Sequence, residues 1–597
     1  MTALLAAAPA FADSWCPQGI APAVERDRII RTLSSNAELL AKSGGKRRSV
    51  GVPSAPPPLA VANFIDAPIA AKLAKDSIAP APIAGDEEFL RRVHLDLTGT
   101  IPTAAQVQAF LADPSTTKRA AKIDELLASD AFVDRWTMWF GDLVQNVQFA
   151  NNSREYYIGR NVYYNWIRDS IRAGKPYDQM VRDALAGEGM SFTSGVANYV
   201  VRQMQNNGPR QDAYDNLATH SAEKFLGIPL LCISCHGGVQ HLESVNWWLR
   251  NKTRTDFWKM AAFFAQVQSR PVEYFDPNNN NNRIFQFNVT ANALSTYRLN
   301  TTDGNKSPRQ PAPGESDVVT PAFITTGETP RAGELPRIAY GRMLTADRQF
   351  ARAAVNYFWR EMFGLGLVEP VNAFDLSKLE TQPTHPDLLE AMAGEFIAKG
   401  YNLRAMLRTI ATSNTYQLSS RYPYPWNEAW VPYFARRYPR RLMAEVAFDA
   451  IATATNVPAS FTVQGMNNVP KAMQLPDPLE GRRAPGTTFI NYFGRGDRDD
   501  VMRTNDSSIS QALALMNDQN VTTRVKRSTP NSTVNKLLAA TSDPGTITDE
   551  LYLATLSRRP SAAERQAAID YLRAGTLAER TEDLQYALLN SLEFLFQ

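Results

Sequence analysis

Apolar side chains recur at helical spacing over most of this chain, and this period constrains its fold more than any other feature. Acidic residues open the stretch at 86–98, and Phe89, Val93 and Leu97 follow four residues apart. The same period continues to residue 186, resumes at residue 341 and persists to the C-terminal end. The sequence therefore predicts a mainly α, multi-lobed helical protein with long irregular loops.

A Cys-Ile-Ser-Cys-His run occupies residues 232–236. The C-x-x-C-H spacing is the attachment signature of c-type haem: two thiols on one turn can add to the two haem vinyl groups, and the next residue then lies under the iron. With only three cysteines and five histidines in the chain, a chance match is on the order of one in ten thousand. The sequence predicts one covalent haem c in the first lobe, held by Cys232 and Cys235, with His236 as proximal iron ligand.

Other interpretations of this cysteine pair stay open. A zinc site needs four ligands, and no second Cys or His pair at ligand spacing accompanies the motif. A thioredoxin-like redox pair needs a strand before it and a helix after it, whereas Gly237 and Gly238 follow here. A plain disulfide, a zinc site and a pair without a ligand remain the alternatives to haem.

The sixth iron position has three kinds of candidate. His220 and Met260 are candidate distal ligands on either side of the motif. His241 lies only five residues after His236, so the chain would have to wrap around the porphyrin to reach the other face, and we expect it near the haem instead. An open or water-bound iron is the remaining alternative.

Breaks in the helical pattern divide the chain. Residues 44–60 are rich in Gly and Pro, and residues 270–335 contain five consecutive asparagines with short β-type runs. We predict five segments: a signal-peptide remnant (1–12), an N-terminal extension and linker (13–60), a helical haem-bearing domain (61–269), an irregular insertion with a small β element (270–335) and a helical C-terminal domain (336–597).

Composition and the N-terminal segment indicate where the protein works. Hydrophobic residues make up 44% of the chain, and the net charge of +3 with interleaved signs does not indicate nucleic acid. No apolar run reaches the length of a transmembrane segment. Residues 1–12 are apolar and end in A-x-A, as a secretory signal does, and c-type haem matures outside the bacterial cytoplasm. We expect a periplasmic or extracellular protein in which Cys16 has no assigned role.

Several motifs resemble a known family. They read FLRRVHLDLTG at residues 89–99, HPDLL at 385–389 and FGRGDR at 493–498. These runs resemble a pair of secreted domains of unknown function first noted in planctomycetes, where they accompany cytochrome c domains. The resemblance covers most of residues 86–597 and implies export and a mostly α architecture, but little about activity. Many relatives carry a second His two residues after the motif, whereas four residues precede His241 here, so a role tied to that closer His is not implied.

The leading functional hypothesis is electron transfer by an exported monohaem protein. One alternative is a haem enzyme with an open sixth iron position, and another is a structural or interaction scaffold stabilised by haem. The length of 597 residues favours both alternatives, because it far exceeds the length of a simple electron carrier. We expect a redox partner protein and, further, association with the cell surface or a membrane complex. No nucleophilic triad, P-loop or metalloprotease motif points elsewhere.

Overall fold

The computed structural model describes residues 22–43, 57–148, 156–204, 208–277, 279–304, 306–311, 313–478, 487–498, 503 and 508–597. The predicted signal remnant and Cys16 lie outside the described residues. Within them, no helix combines the length and the apolar character needed to cross a bilayer. Helices dominate the described chain, which confirms the prediction of a mainly α fold.

The first half is a series of helices whose ends follow local rules. Thr103 begins one of them with a capping box to Gln106, and Gly99 ends another in a left-handed conformation, with φ of 65°. The helices are α1 (Pro22–Ser43), α2 (Asp66–Lys75), α3 (Asp86–Thr98), α4 (Ala104–Ala112), α5 (Lys118–Leu127), α6 (Asp130–Leu143), α7 (Tyr157–Arg172), α8 (Tyr177–Ala186), α9 (Ala197–Gln203), α10 (Arg210–Ser221), α11 (Cys232–Cys235), α12 (Trp247–Arg250) and α13 (Arg254–Ala262).

Residues 270–335 are more regular than their composition indicates. Strand β2 (Val267–Asp276) pairs antiparallel with β3 (Asn279–Ala291), and β1 (Gly189–Met190) extends the sheet in the order β1-β3-β2. A second small pair joins β4 (Tyr297–Arg298) to β5 (Val318–Val319). The predicted small β element is therefore a long hairpin, because aromatic and β-branched residues on both strands favour pairing. Most of the Asn-rich run, Asn279–Asn282, forms the start of β3 just after the turn.

The second half is again helical. Pro336 and Pro386 occupy the first position of their helices, where a missing N–H costs nothing. The helices are α14 (Pro336–Ala346), α15 (Arg348–Phe363), α16 (Pro386–Ala398), α17 (Leu403–Thr412), α18 (Asn414–Gln417), α19 (Ala444–Thr455), α20 (Thr487–Tyr492), α21 (Ile509–Asn517), α22 (Gln519–Thr522), α23 (Thr533–Ala540), α24 (Pro544–Leu556), α25 (Ala562–Arg573), α26 (Leu577–Leu589) and α27 (Leu592–Leu595).

Two hydrophobic cores organise these helices. The larger core takes buried residues from α2–α13 and also from α14–α18, so it draws on both sides of the 270–335 segment. Trp136 of α6 and Phe358 of α15, for example, meet edge to face at 6.1 Å between ring centroids. The smaller core is built from α19–α27, with Leu95, Ile101 and Met138 contributed by the first half. The helices before the insertion therefore do not pack separately from those after it.

A buried ion cluster joins α3 to the C-terminal part of the chain. Asp96 accepts hydrogen bonds from Tyr416 Oη at 2.7 Å, Arg437 Nη2 at 2.8 Å and Gln597 Nε2 at 2.6 Å, and it also pairs with Arg440. These residues are separated from Asp96 by more than 300 positions in sequence. The FLRRVHLDLTG run therefore acts in this fold as a connector between distant segments.

Two more buried ion pairs hold irregular segments in place. Arg160 of α7 reaches Asp477 at 2.8 Å, and both side chains are fully buried. Arg309 in the insertion pairs with Asp212 at 2.5 Å and with Asp215 at 2.7 Å, both on α10. Buried charges are tolerated when they are paired and hydrogen-bonded. The first pair therefore fixes the loop at Asp477 against α7, and the others fix the loop at Arg309 against α10.

Candidate functional site

The C-x-x-C-H run lies on a single helical turn after a reversal of the chain. A π-helical turn at residues 222–226 follows α10 and ends at Gly227, which has a φ of 66°. A Cβ at Gly227 would lie 2.7 Å from Phe374 Cδ2, so both the conformation and the close approach require glycine. Pro229 then accepts the N–H of Cys232 at 3.3 Å and α11 begins. The local sequence thus presents both cysteines on one turn.

The two thiols lie in different environments. Cys232 is buried in the larger core, whereas Cys235 is exposed, and no disulfide joins them. Partial burial raises the pKa of the Cys235 thiol, but hydrogen bonds from Ser234 and Ser307 outweigh it and bring the pKa below its usual value. The thiolate is the nucleophilic form of cysteine, so Cys235 is the more reactive of the two.

His236 follows the helical turn and has one ring nitrogen engaged. Its Nδ1 lies 2.8 Å from the carbonyl oxygen of Gly237. A carbonyl oxygen only accepts, so Nδ1 carries a proton, and in the neutral tautomer with that proton Nε2 has the lone pair. Metal-ligating histidines commonly have this arrangement, with the second nitrogen donating to a backbone carbonyl. The protonation of His236 therefore suits an iron ligand at Nε2.

His241 packs directly on His236. The two ring centroids are 4.2 Å apart and the rings are tilted by 40°. Two imidazoles on opposite sides of one metal ion keep their centroids more than about 6 Å apart, because each metal–nitrogen bond is about 2 Å long. In this arrangement His236 and His241 are too close to bind one metal ion from opposite sides.

His220 and Met260 have other partners. His220 is buried, and its Nδ1 lies 3.0 Å from the hydroxyl of Tyr199, whereas its Nε2 has no hydrogen-bond partner among the described residues. Burial, with the nearby charges of Lys224 and Arg202, holds the pKa of His220 well below its usual value. Met260 is fully buried, and its sulfur accepts the N–H of Ile324 at 3.2 Å. Among the described ring contacts, His236 pairs with His241 and not with His220.

A row of cations on tryptophan rings borders the motif. These cations alternate along the chain, and each lies within 5 Å of an indole ring centroid: Arg250 over Trp247, Lys252 over Trp248 and Arg254 over Trp258. Arg254 also donates to the carbonyl oxygens of Ser234 at 3.2 Å and of Ser307 at 3.1 Å, so it ties the cysteine turn to the insertion. We call Arg250, Lys252 and Arg254 the basic rim.

The basic rim was not predicted from the sequence. The available signal was the alternation of cations at residues 250, 252 and 254. Cationic side chains such as these bind carboxylates well, and arginine binds them better than lysine does. A protein-only metal site is not formed here: among the described residues, no group of three or more His, Cys, Asp or Glu side chains could hold a metal ion.

Comparison with known families gives two matches in N-to-C order. Residues 64–269 match the family PSCyt2, described as a protein of unknown function (DUF1549). Residues 337–572 match the family PSD1, described as a protein of unknown function (DUF1553). The cysteine turn, the histidines beside it and the basic rim all fall within the first match. No curated protein and no solved structure matches the chain.

Proposed function

We propose that this pair of domains of unknown function forms an exported c-type haem protein that transfers electrons in the periplasm or outside the cell. Cys232 and Cys235 hold the haem, and His236 is the proximal ligand of its iron. The observation that carries the proposal is the C-x-x-C-H run on one helical turn with His236 Nδ1 protonated towards Gly237 O. A bound haem supplies a one-electron iron couple.

The residues around the turn support this assignment. Cys235 is exposed with a lowered thiol pKa, so it is available for thioether formation. Cys232 lies behind it in the apolar core, which is suited to the buried edge of a macrocycle. The basic rim lies beside the same turn through the contact of Arg254 with Ser234. Arg250 is already paired with Glu243 at 3.2 Å, so Lys252 and Arg254 are the cations that would bind the haem carboxylates.

A second candidate function is a haem enzyme with an open sixth iron position. The specific observation in its favour is that the sulfur of the candidate distal ligand Met260 already accepts the amide N–H of Ile324. His241 packs against His236 too closely to bind the same iron from the opposite face. In this alternative the chain binds and orients the haem, and an exogenous ligand or substrate binds at the sixth iron position.

Haem staining of denatured protein tests the attachment. The full chain is produced in a host with c-type maturation, denatured, separated on a gel and stained for haem-linked peroxidase activity. We expect staining of the wild type and its loss in the Cys232→Ala, Cys235→Ala double variant. Cys16→Ala is the matched control, since it removes the third cysteine and should stain fully. Stain that survives the double change would overturn the proposal.

Ligand binding to the reduced protein separates electron transfer from the open-site alternative. A six-coordinate, low-spin ferrous spectrum that is insensitive to CO supports electron transfer, whereas a high-spin spectrum with rapid CO binding supports an enzyme. Met260→Leu and His220→Gln should leave the spectrum unchanged if neither residue binds the iron. A low-spin spectrum that becomes high-spin in either variant identifies that residue as the distal ligand.

A further inference from the structure

A loop leaves the cysteine turn and is held tightly against α12. We call residues 237–247 the His241 loop. Its Gly238 donates the backbone N–H to the carbonyl oxygen of Lys252 at 2.8 Å and accepts the N–H of His241 at 3.2 Å. A Cβ at Gly238 would lie 2.0 Å from the carbonyl oxygen of Leu249, so only glycine lets the loop come this close to α12. The course of the loop is therefore fixed by contacts of its own.

The loop also contacts the proposed iron ligand. His241 is exposed, and its ring centroid lies 4.2 Å from that of the half-buried His236. Rings at this distance are in van der Waals contact, so no layer of solvent separates them. With His236 as the iron ligand, these two imidazoles alone would connect the iron to an exposed side chain.

Two apolar side chains of the same loop are exposed. Val239 is 57% exposed and Trp247 is 42% exposed. Both flank Arg250: Gly238, which precedes Val239, packs on its backbone, and its guanidinium lies 4.8 Å from the ring centroid of Trp247. Tryptophan and arginine are enriched among the residues that carry most of the binding energy in protein interfaces. We call Val239, Trp247 and Arg250 the loop patch.

The loop patch has little net charge. Arg250 Nε lies 3.2 Å from Glu243 Oε1, and Glu243 also accepts the N–H of Gln240 at 2.7 Å. Lys252 and Arg254, the other two cations of the basic rim, serve the haem carboxylates in the proposed function. No surplus charge is then left to attract a strongly acidic or basic partner. The loop patch therefore suits a partner face that is apolar and weakly charged.

The size of the loop patch favours a short-lived complex. Two partly exposed apolar side chains supply far less than the roughly 800 Å² that each partner buries in a stable complex. Electron-transfer complexes lie at the low end of interface size and are weak. A redox protein that docks, exchanges an electron and leaves is therefore the partner that this surface fits.

We propose that the redox partner docks on the His241 loop, through an apolar and weakly charged face, and that His241 makes the electronic contact between this face and His236. The inference rests on the proposed function. One electron passes between the two proteins at this contact, and no bond forms or breaks.

Stopped-flow electron transfer from the reduced, haem-loaded full chain tests the docking surface. The protein oxidant is a small soluble ferric c-type cytochrome of nearly neutral charge, and ferricyanide is the small-molecule control. We expect Trp247→Ser to lower the second-order rate constant with the cytochrome about tenfold and to leave the ferricyanide rate unchanged. Leu294→Ser is the matched control: Leu294 is 91% exposed in the insertion, and its change should alter neither rate.

Two substitutions of His241 test the electronic contact. His241→Ala should slow transfer to the cytochrome severalfold, because it removes the ring that packs on His236. His241→Phe keeps a ring there and should retain most of the rate. The midpoint potential of each variant is measured, so that the rates are compared at equal driving force.

Hydroxyl-radical footprinting of the oxidised chain gives a readout that involves no electron transfer. An excess of the ferric cytochrome should protect Trp247 from oxidation and leave Leu294 as reactive as before. The proposal is overturned if Trp247 is not protected, or if haem-loaded Trp247→Ser or His241→Ala reduces the cytochrome as fast as the wild type. A rate constant that falls steeply with ionic strength would also overturn it. Absence of haem from the stained gel overturns the proposed function and this inference with it.

Discussion

Replacement of Asp96 by asparagine should separate the two halves of the chain more effectively than any surface change. Asp96 sits on α3 with its side chain 1% exposed and pairs with two arginines from the segment that follows α18. The Asp96→Asn change keeps the size of the side chain and removes its charge. It leaves Arg437, which is fully buried, without the carboxylate that accepts from its Nη2.

The cost follows from the burial of Arg437. Its Nε and Nη1 already lack hydrogen-bond partners among the described residues, and burial lowers its pKa to about 9 even with Asp96 present. Contacts with the rings of Phe363 and Tyr416, at 5.3 and 5.2 Å, offset part of the desolvation. Removing one partner of a buried ion pair costs about 3–5 kcal/mol, because the other charge stays buried and uncompensated.

Urea unfolding followed by circular dichroism measures the cost, and hydrogen exchange locates it. We expect the midpoint to fall by the equivalent of about 3–5 kcal/mol, with faster exchange in α3 and in the C-terminal residues that contact Asp96. Asp130→Asn is the matched control: it removes an ion pair with Arg172 whose carboxylate is 81% exposed, and it should change stability by less than about 1 kcal/mol. Equal small effects of the two changes would refute the argument.

Three further results are expected. Burial, followed by the nearby charges of Lys122 and Lys72, lowers the pKa values of His94 and His385 to about 3. Only the unfolded chain therefore binds their protons between about pH 6.5 and 3, and by pH 5 each should cost about 2 kcal/mol of stability. A pH series of urea midpoints checks this, and His94→Gln should flatten the slope. Arg309→Gln should speed hydrogen exchange in β4 and α10, whereas unchanged exchange would show that its ion pairs do not hold the insertion. Gly227→Ala should reduce haem incorporation without affecting export, and full haem staining would contradict the close packing on Phe374.

Much of the fold can be predicted from short stretches of the sequence. The apolar period at Phe89, Val93 and Leu97 and the acidic first turn predict α3, and all three of those side chains are fully buried. The cysteine turn is predicted by spacing alone, because two residues three positions apart on a helix share a face. The sequence predicted only a small β element where the structure has the hairpin of β2 and β3. The register of this hairpin is set by pairing between the two strands, and its Asn-rich composition does not reveal that pairing.

The histidines and cations around the motif show where local sequence stops being informative. Whether His220, His241 or Met260 approaches His236 depends on how α10, the loop after α11 and α13 pack, and no spacing rule encodes that. The basic rim has a visible alternation, but its position beside Ser234 comes from the packing of α13 on the cysteine turn. The chemistry of a side chain can be read from the residue itself, whereas its neighbours in space depend on how the whole chain packs.

The sequence by itself determined the helical class, the cysteine turn and its two thiols, because each depends on residues within a few positions of one another. Only the tertiary structure decided that helices before and after the insertion share one core and that Asp96 connects segments more than 300 residues apart. These features depend on burying apolar surface and on pairing buried charges across the whole chain, and those energies have no counterpart in a short stretch of sequence.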